Sequence, residues 1–305
     1  MPDASDQLRW INLSSLAVVI LAHTDPAHVR RLVRALNGVP VVLHCDAKTD
    51  DDTYRAMLDR RLIPTHRIAT SLGSWSLVDA ELTALATALR ETSASHVAIL
   101  SGSDYPLLPP KKIEAGLVLG ESAIWNIPLP HDKWNTRLHH DGGLWRVRYR
   151  FWTWADNIVF LRGVPLRWPW PRRIPTGVDL RAGTQWKIYS RRHAEALLNV
   201  VAERPQLIRF WRSTLVPEET FAVSILASEA LVGPDVLPTN TNQPWFMLWP
   251  DGDHPRWLTA GDFERLRDAA TRQTPKLFAR KFATAAAGPL LDRIDAELLD
   301  GVLPT

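Results

Sequence analysis

The chain has 305 residues, of which 46% are hydrophobic and 23% charged, a balance typical of a folded protein and not of a disordered one. Its formal net charge of +3 gives no reason to expect nucleic-acid binding, although it suits a small anionic ligand. Because Cys45 is the single cysteine, an internal disulfide is excluded and a reducing compartment is expected. No apolar run approaches the roughly 20 residues needed to cross a bilayer, and residues 1–12 lack a signal-peptide pattern. We therefore expect a cytoplasmic protein of bacterial type.

Buried strands alternate with helices over the first 100 residues. The run 15–22 is aliphatic and β-branched, which predicts a strand, and Asp25 and Pro26 fit the N-cap and first position of a helix over 27–36. Further strands are predicted at 39–44, 68–71 and 96–100, and further helices from 51 and from 76. This alternation predicts βαβ units, and hence an α/β fold with a mainly parallel sheet flanked by helices.

Polar side chains follow three of these strands, at the point where each strand ends. They are His23 and Asp25, then His44 and Asp46, then Ser101, Ser103 and Asp104. In parallel sheets, ligands bind outside the carboxyl ends of the strands. Each of these residues is also a common capping or turn residue. Three polar strand ends in succession nevertheless favour a binding site at this edge.

The second half of the chain is less regular. The segment 145–173 is rich in Trp, Arg and Pro without clear periodicity, which predicts a loop-rich insertion over the sheet. A strand at 185–190 and helices at 192–203 and 217–228 are predicted next, and the segment 258–299 is predicted to be helical, with a turn at 278–282. No repeat or low-complexity linker divides the chain, so we expect a single domain over 1–305.

Common catalytic motifs are absent: there is no Walker A loop, GxGxxG, HExxH or GxSxG. The cluster at 139–141 (HHD) favours a solvated loop over a zinc site, because adjacent residues face apart on a regular element. The run 50–52 (DDD) suits a helix N-terminus, where carboxylates complement the dipole. The segment 251–253 (DGD) has the DxD form but falls late, in a predicted turn. The sequence therefore predicts no metal site.

Two adjacent carboxylates, Glu218 and Glu219, follow Pro217 in the first turn of a predicted helix. Stabilisation of the helix dipole explains them without any function. Adjacent helical residues point about 100° apart, so at most one of them faces a given cleft. A carboxylate there is a candidate general base.

The chain resembles the core-2/I-branching β-1,6-N-acetylglucosaminyltransferase family, glycosyltransferase family 14, which includes peptide xylosyltransferases and bacterial relatives. Each matching segment is weak alone, but together they follow the family order over nearly the whole chain. The segments are 20–26 (ILAHTDP), 43–46 (LHCD), 76–82 (SLVDAEL), 100–107 (LSGSDYPL), 183–186 (GTQW), 217–219 (PEE), 254–256 (HPR), 277–282 (LFARKF) and 291–295 (LDRID).

The resemblance implies a GT-A-like fold and an inverting, metal-independent transfer of a sugar, GlcNAc or xylose, from a UDP-sugar to an acceptor hydroxyl. It implies a nucleotide-binding half over 13–120 and an acceptor and catalytic half over 121–305. Glu219 is implied as the catalytic base, and the implied acceptor is a glycan, a peptide, a lipid-linked or a small molecule. By position, the expected donor-binding residues are His23, Asp46, Asp104, Arg256 and Lys281, and the expected sugar- or acceptor-binding residues are Trp186 and Trp249.

Two departures from the family pattern bear on these expectations. Ala283 follows the 278–282 segment where relatives usually have Asp, and residues 120–183 match poorly. Within that second stretch, Arg and Trp interleave, which also suits a non-catalytic carbohydrate- or membrane-surface-binding protein, although solvated arginines on an ordered loop explain the pattern as well. Peripheral contact with the inner face of the membrane is compatible with either function.

Overall fold

The computed structural model describes residues 14–137, 139–250 and 254–299. The strands in chain order are β1 (Leu16–Ala22), β2 (Val41–Cys45), β3 (Leu62–Pro64), β4 (His96–Ser101), β5 (Asp104–Pro106), β6 (Asn126–Pro128), β7 (Thr153–Trp154), β8 (Asn157–Ile158), β9 (Phe160–Leu161), β10 (Val164–Pro165), β11 (Arg181–Gly183), β12 (Lys187–Ser190), β13 (Trp245–Met247) and β14 (Phe278–Arg280).

The helices in chain order are α1 (Pro26–Ala35), α2 (Asp51–Met57), α3 (Trp75–Glu91), α4 (Pro110–Ala115), α5 (Trp145–Arg148), α6 (Arg191–Glu203), α7 (Pro205–Trp211), α8 (Phe221–Ala227), α9 (Glu229–Val232), α10 (Phe263–Thr271) and α11 (Thr284–Glu297). Short 3-10 turns span Asp132–Trp134, Pro217–Glu219 and Ala260–Asp262.

The central sheet has five strands in the order β12-β4-β1-β2-β3. β1 pairs in parallel with β2 and β4, and β2 pairs in parallel with β3, whereas β12 runs antiparallel to β4. All seven residues of β1 are buried, because helices cover both faces of the sheet. The predicted α/β fold with a mainly parallel sheet is confirmed.

Alternate residues of β1 enter two different cores. Val18 and Ile20 belong to a core with residues of α1 and α11, whereas Ala17 and Val19 belong to one with residues of α3, α6 and α8. This alternation is the two-residue period of a strand. The helices thus form one layer on each face, and the carboxyl ends of the parallel strands lie at one edge of the sheet.

A second, smaller sheet in the order β13-β14-β5 continues from that edge. Two residues separate β4 from β5, and one of them, Gly102, fits tightly, since a Cβ there would lie 3.0 Å from the Cβ of Ala22. Arg280 of β14 pairs with Asp104 of β5 and with Met247 of β13. This sheet brings residues from the end of the chain to the carboxyl ends of β1 and β4.

Four predicted elements differ from the structure. Residues 68–71 form no strand, because they cross the end of β2: Ala47 N, just beyond that strand, donates to Ile68 O at 3.1 Å, and Ile68 N donates to His44 Nε2 at 3.0 Å. The predicted helix over 217–228 is a 3-10 turn and then α8, separated at Thr220, whose φ is −128°. The predicted turn at 278–282 contains β14, and the 145–173 insertion holds α5 and the two-residue strands β7 to β10.

Candidate active site

His23 and Asp46 follow β1 and β2 and lie at the same edge of the sheet. The imidazole of His23 is exposed, and its backbone carbonyl accepts a hydrogen bond from Thr49 Oγ1 at 2.9 Å. Asp46 is buried, with Oδ1 accepting from Lys48 N at 2.7 Å and Oδ2 from both N and Oγ1 of Thr70. Burial alone would raise the pKa of Asp46, but these hydrogen bonds lower it below its usual value. Asp46 is therefore a carboxylate that holds the 65–71 loop across the strand end.

Asp104 has no exposed surface. Its carboxylate accepts hydrogen bonds from Ser101 N at 2.9 Å, Ser101 Oγ at 2.9 Å, Trp245 Nε1 at 3.2 Å and Arg280 Nη1 at 2.9 Å. In this structure the carboxylate is enclosed and holds Arg280, and the expected contact between Asp104 and a nucleoside stays a prediction.

Arg280 is the cation that sequence reasoning missed. Its guanidinium carbon lies 3.8 Å from the ring centroid of Trp186, and its side chain is mostly buried. Within the described residues, neither Arg280 Nε nor Trp186 Nε1 has a hydrogen-bond partner. Buried donors without an acceptor are uncommon in a folded protein, and a guanidinium is a strong donor to phosphate oxygens. The signal was present in the sequence, since Arg280 directly precedes Lys281.

Lys281 and Arg256 differ in whether their charge is paired with a carboxylate. Lys281 Nζ lies 4.5 Å from the Trp257 ring centroid, and among the described residues no carboxylate pairs with it. Arg256 forms a two-pronged ion pair with Asp262, at 2.9 and 2.5 Å. Arg280 is paired with a carboxylate as well, through Asp104 at 2.9 Å. The expected role of Arg256 in donor binding therefore stays a prediction, and Arg280 is a further candidate cation.

The turn that carries Glu218 and Glu219 is bonded to the loop before α3. Val216 N donates to Gly73 O at 3.0 Å, and Gly73 N donates to Glu218 Oε1 at 3.0 Å. Val216 has a φ of 53°, a left-handed conformation that is strained for a β-branched residue. Such strain is concentrated at functional sites and is maintained by the surrounding structure.

The two glutamates lie in different environments. Glu218 is buried, and burial together with the neighbouring Glu219 raises its pKa to about 8. The side chain of Glu219 is 33% exposed, and its Oε2 lies 3.7 Å from Arg146 Nη1. Partial burial raises the pKa of Glu219, while Arg146 and Lys187 oppose that shift. Adjacent carboxyl groups with separated environments can take separate roles, and Glu219 is the accessible one.

A buried ion pair links the two parts of the site. Lys187 Nζ lies 3.0 and 3.1 Å from the carboxylate oxygens of Glu81, and Tyr189 donates its hydroxyl to the same carboxylate at 2.6 Å. Lys187 is adjacent to Trp186, which stacks on Arg280, and its charge also acts on Glu219. The sequence signal for this pair was a lysine inside an apolar strand.

Trp186 and Trp249 differ in exposure. Trp186 is buried beneath Arg280, whereas Trp249 follows β13 and is half exposed.

The DGD segment at 251–253 lies outside the described residues. Over the part of the chain that the structure describes, no three His, Cys, Asp or Glu side chains gather in a metal-binding group. The predicted absence of a metal site remains a prediction.

A surface cavity of about 940 Å³ lies away from these residues. It is lined by Asp179, Arg181 and Ser228 among others, at the C-terminal end of α8, whereas Glu219 precedes the N-terminus of that helix. Arg181 is already bonded to Asp179 and to Thr239. Volume alone therefore does not mark the active site of this protein.

A family model described as Core-2/I-Branching enzyme matches residues 17–267, well over half of the chain. The chain belongs to the core-2/I-branching enzyme family. It is therefore a glycosyltransferase, with a fold consistent with the GT-A type. A search of curated proteins gave no match.

The family match covers the strand ends and Glu219, whereas Arg280 and Lys281 lie beyond residue 267. In this core-2/I-branching enzyme, the pairing of β14 with β5 brings these two cations to the matched region. Among the described residues, no helix is long and apolar enough to cross a membrane.

Proposed function

We propose that this core-2/I-branching enzyme is an inverting glycosyltransferase that moves a sugar from a UDP-sugar to an acceptor hydroxyl. GlcNAc and xylose are the proposed sugars, and the product has a β-glycosidic bond. The observation that carries the proposal is the position of two chain neighbours: Trp186 stacks on Arg280, which precedes Lys281, and the charge of Lys187 acts on the accessible carboxylate of Glu219.

Glu219 acts as the general base. It takes the proton from the acceptor hydroxyl while that oxygen forms a bond to the anomeric carbon of the donor. The bond between the anomeric carbon and the phosphate oxygen breaks on the opposite face, and its electron pair leaves with UDP. One carboxylate suffices for this single displacement, because the nucleotide leaves as a stable anion that needs no protonation.

The raised pKa of Glu219 suits this role. A base is most effective when its pKa approaches the working pH, provided that it stays ionised before reaction. Burial raises the pKa of Glu219, while Arg146 and Lys187 favour the carboxylate. Arg146 Nη1, at 3.7 Å from Oε2, is close enough to orient the carboxylate without a short hydrogen bond that would compete for it.

Arg280 and Lys281 stabilise the departing diphosphate. Fixed cations lower the barrier when charge develops beside them in a site that holds little water. Arg280 is held by Asp104 and by the face of Trp186, so it needs no rearrangement to meet the phosphates. His23 and the loop held by Asp46 border the nucleoside, and Trp186 and Trp249 border the sugar or acceptor.

Thermal unfolding of the purified protein with UDP and a panel of UDP-sugars tests this function, first in EDTA and then with manganese. A ligand that binds only the folded state raises the melting temperature, and the shift grows with the ratio of its concentration to its dissociation constant. A shift with one UDP-sugar in EDTA supports donor binding without a metal and names the donor. A shift that requires manganese contradicts metal independence, and no shift with any UDP compound contradicts the UDP-sugar assignment.

A further inference from the structure

The segment 148–173, here called the tryptophan ribbon, folds into three antiparallel arms. Three backbone hydrogen bonds of 2.9 Å close a ring at their junction: Trp152 N to Leu166 O, Leu166 N to Val159 O, and Val159 N to Trp152 O. Two arms end in tight turns, at Ala155–Asp156 and Arg162–Gly163, with positive φ at both central residues as in type I′ hairpins. The tryptophan ribbon is therefore an ordered β structure and not a solvated loop.

One arm contacts the site and the other projects from the protein. In the β7–β8 arm, Ile158 N donates to Ser74 Oγ at 2.8 Å, and Asp156 Oδ2 accepts from Arg212 at 2.8 Å. The β9–β10 arm instead exposes Phe160, Leu161 and Val164, with Leu161 60% exposed. Exposed apolar side chains on a projecting hairpin are unfavourably hydrated, so they mark a contact surface.

Tryptophans extend this apolar surface. Trp154 is 81% exposed and Trp170 73%, and Trp152 stacks on Trp168 with 5.7 Å between ring centroids while both stay about half exposed. Exposed large apolar groups are ordinary when scattered singly, but here seven fall within one 19-residue stretch. Tryptophan in particular favours the interface between water and the acyl region of a bilayer.

The tryptophan ribbon is strongly positive. It contains six arginines and a single acidic residue, Asp156, which is bonded to Arg212. The exposed arginines are Arg148, Arg150, Arg162 and Arg173. Arginines around an exposed apolar surface complement an anionic one, since each contributes about 1 kcal/mol near anionic lipid.

A cavity of about 640 Å³ lies at the base of the tryptophan ribbon. It is lined by three arginines and two tryptophans: Arg150, Arg172, Arg209, Trp168 and Trp170. Burial and the nearby Arg150 lower the pKa of Arg172 to about 10, so the site is short of negative charge. A phosphate group placed there would relieve that repulsion, and the two rings would cover the adjoining apolar part of the same molecule.

We propose that the tryptophan ribbon docks this protein onto an anionic lipid bilayer, with Phe160, Leu161 and Trp154 inserted at the headgroup level and the arginines on lipid phosphates. A soluble polysaccharide would leave the aliphatic hairpin tip without a partner. A second copy of the chain would bring the same positive charges together. The mixture of aliphatic, tryptophan and arginine side chains matches the interfacial region of a bilayer.

Docking would also set where the acceptor comes from. The β7–β8 arm is bonded to Ser74 and Ser76 beside Gly73, whose N–H holds the turn that carries Glu219. An acceptor hydroxyl carried at the bilayer surface would thus be delivered to the base. This consequence rests on the proposed function, whereas the docking itself does not.

Co-sedimentation of the full chain with vesicles tests the docking without any sugar donor. Vesicles of phosphatidylglycerol and phosphatidylcholine in equal parts should bind the protein, pure phosphatidylcholine should bind it far more weakly, and 0.5 M salt should reduce the binding. Arg148→Ser and Arg162→Ser should each weaken binding about fivefold. The double change Trp154→Ser and Leu161→Ser should weaken it at least about tenfold.

Leu119→Ser is the matched control, because Leu119 is 81% exposed and lies outside the tryptophan ribbon. It should bind vesicles like the wild type, and all variants should keep the wild-type melting temperature. Absence of binding to the anionic vesicles overturns the proposal, and so does equal binding by the ribbon variants. Light scattering that shows a dimer abolished by Trp154→Ser, without vesicle binding, assigns the surface to a second copy instead. Because no donor is present, these outcomes stay separate from the test of UDP-sugar binding.

Discussion

The backbone N–H of Gly73 lies 3.0 Å from Oε1 of Glu218, and this bond joins the loop before α3 to the turn that carries Glu219. Gly73 has a φ of +72°, a conformation that glycine adopts without strain. Glu218 is thereby a structural carboxyl group, and the carboxylate beside it is left accessible. Within the described residues, the second oxygen of Glu218 has no partner, which fits a protonated group.

Glu218→Gln should change the pH dependence of stability. The pKa of Glu218 rises from an unfolded value near 4.5 to about 8 in the folded protein, so the folded state holds the proton more tightly. Stability is therefore greatest below about pH 4.5 with respect to this group, and is lost as pH rises towards about 8. The glutamine variant should show a smaller decline in the free energy of unfolding across that window, measured by urea titration. An unchanged decline would assign the pH dependence to other groups.

Arg280→Lys should weaken UDP binding by about tenfold, because lysine keeps the charge but loses both the stack on Trp186 and the fork geometry that suits phosphate. Arg256→Lys is the comparison variant and should weaken UDP binding by less than about twofold, because the Arg256 side chain is 36% exposed against 12% for Arg280 and exposed charges are screened more strongly. Calorimetric titration with UDP measures both. A larger loss in the Arg256 variant would assign the diphosphate to Arg256 instead.

Lys187→Met should destabilise the protein by about 3–5 kcal/mol, because it leaves the buried charge of Glu81 without its partner. The double variant Glu81→Gln, Lys187→Met removes both charges and should recover much of that loss. Urea unfolding of the three proteins measures the coupling. If the single and double variants are equally unstable, the ion pair is not what the lysine contributes.

Local sequence signals predicted the first half of the fold well. The strand β1 and the Asp25 cap of α1 are each specified by residues that are close in the sequence. The structure confirms both, with Asp25 Oδ1 accepting a hydrogen bond from His28 N at 3.1 Å. The strand predicted at 68–71 is wrong, because its backbone is held at the end of β2 by a long-range hydrogen bond. No local sequence pattern distinguishes a loop held in this way from a short strand.

The site shows the same division between local and long-range information. The resemblance to a family placed Glu219 and Lys281, and the structure shows both accessible. It could not reveal that Asp104 is enclosed, because Trp245 and Arg280 lie far off in the chain. Nor could it reveal that Arg256 is paired with Asp262, because that contact depends on local folding. Arg280 gains its importance from Trp186, 94 residues earlier.

The role of Glu219 is tested most directly by proton NMR of donor hydrolysis, in which water replaces the unknown acceptor. With the UDP-sugar identified by thermal shift, the wild type should release the β-anomer first from an α-linked donor. Glu219→Gln should lower that rate by at least about 100-fold while the donor raises its melting temperature as in the wild type. Initial release of the α-anomer, or turnover by the variant at the wild-type rate, would contradict Glu219 as the base of an inverting transfer.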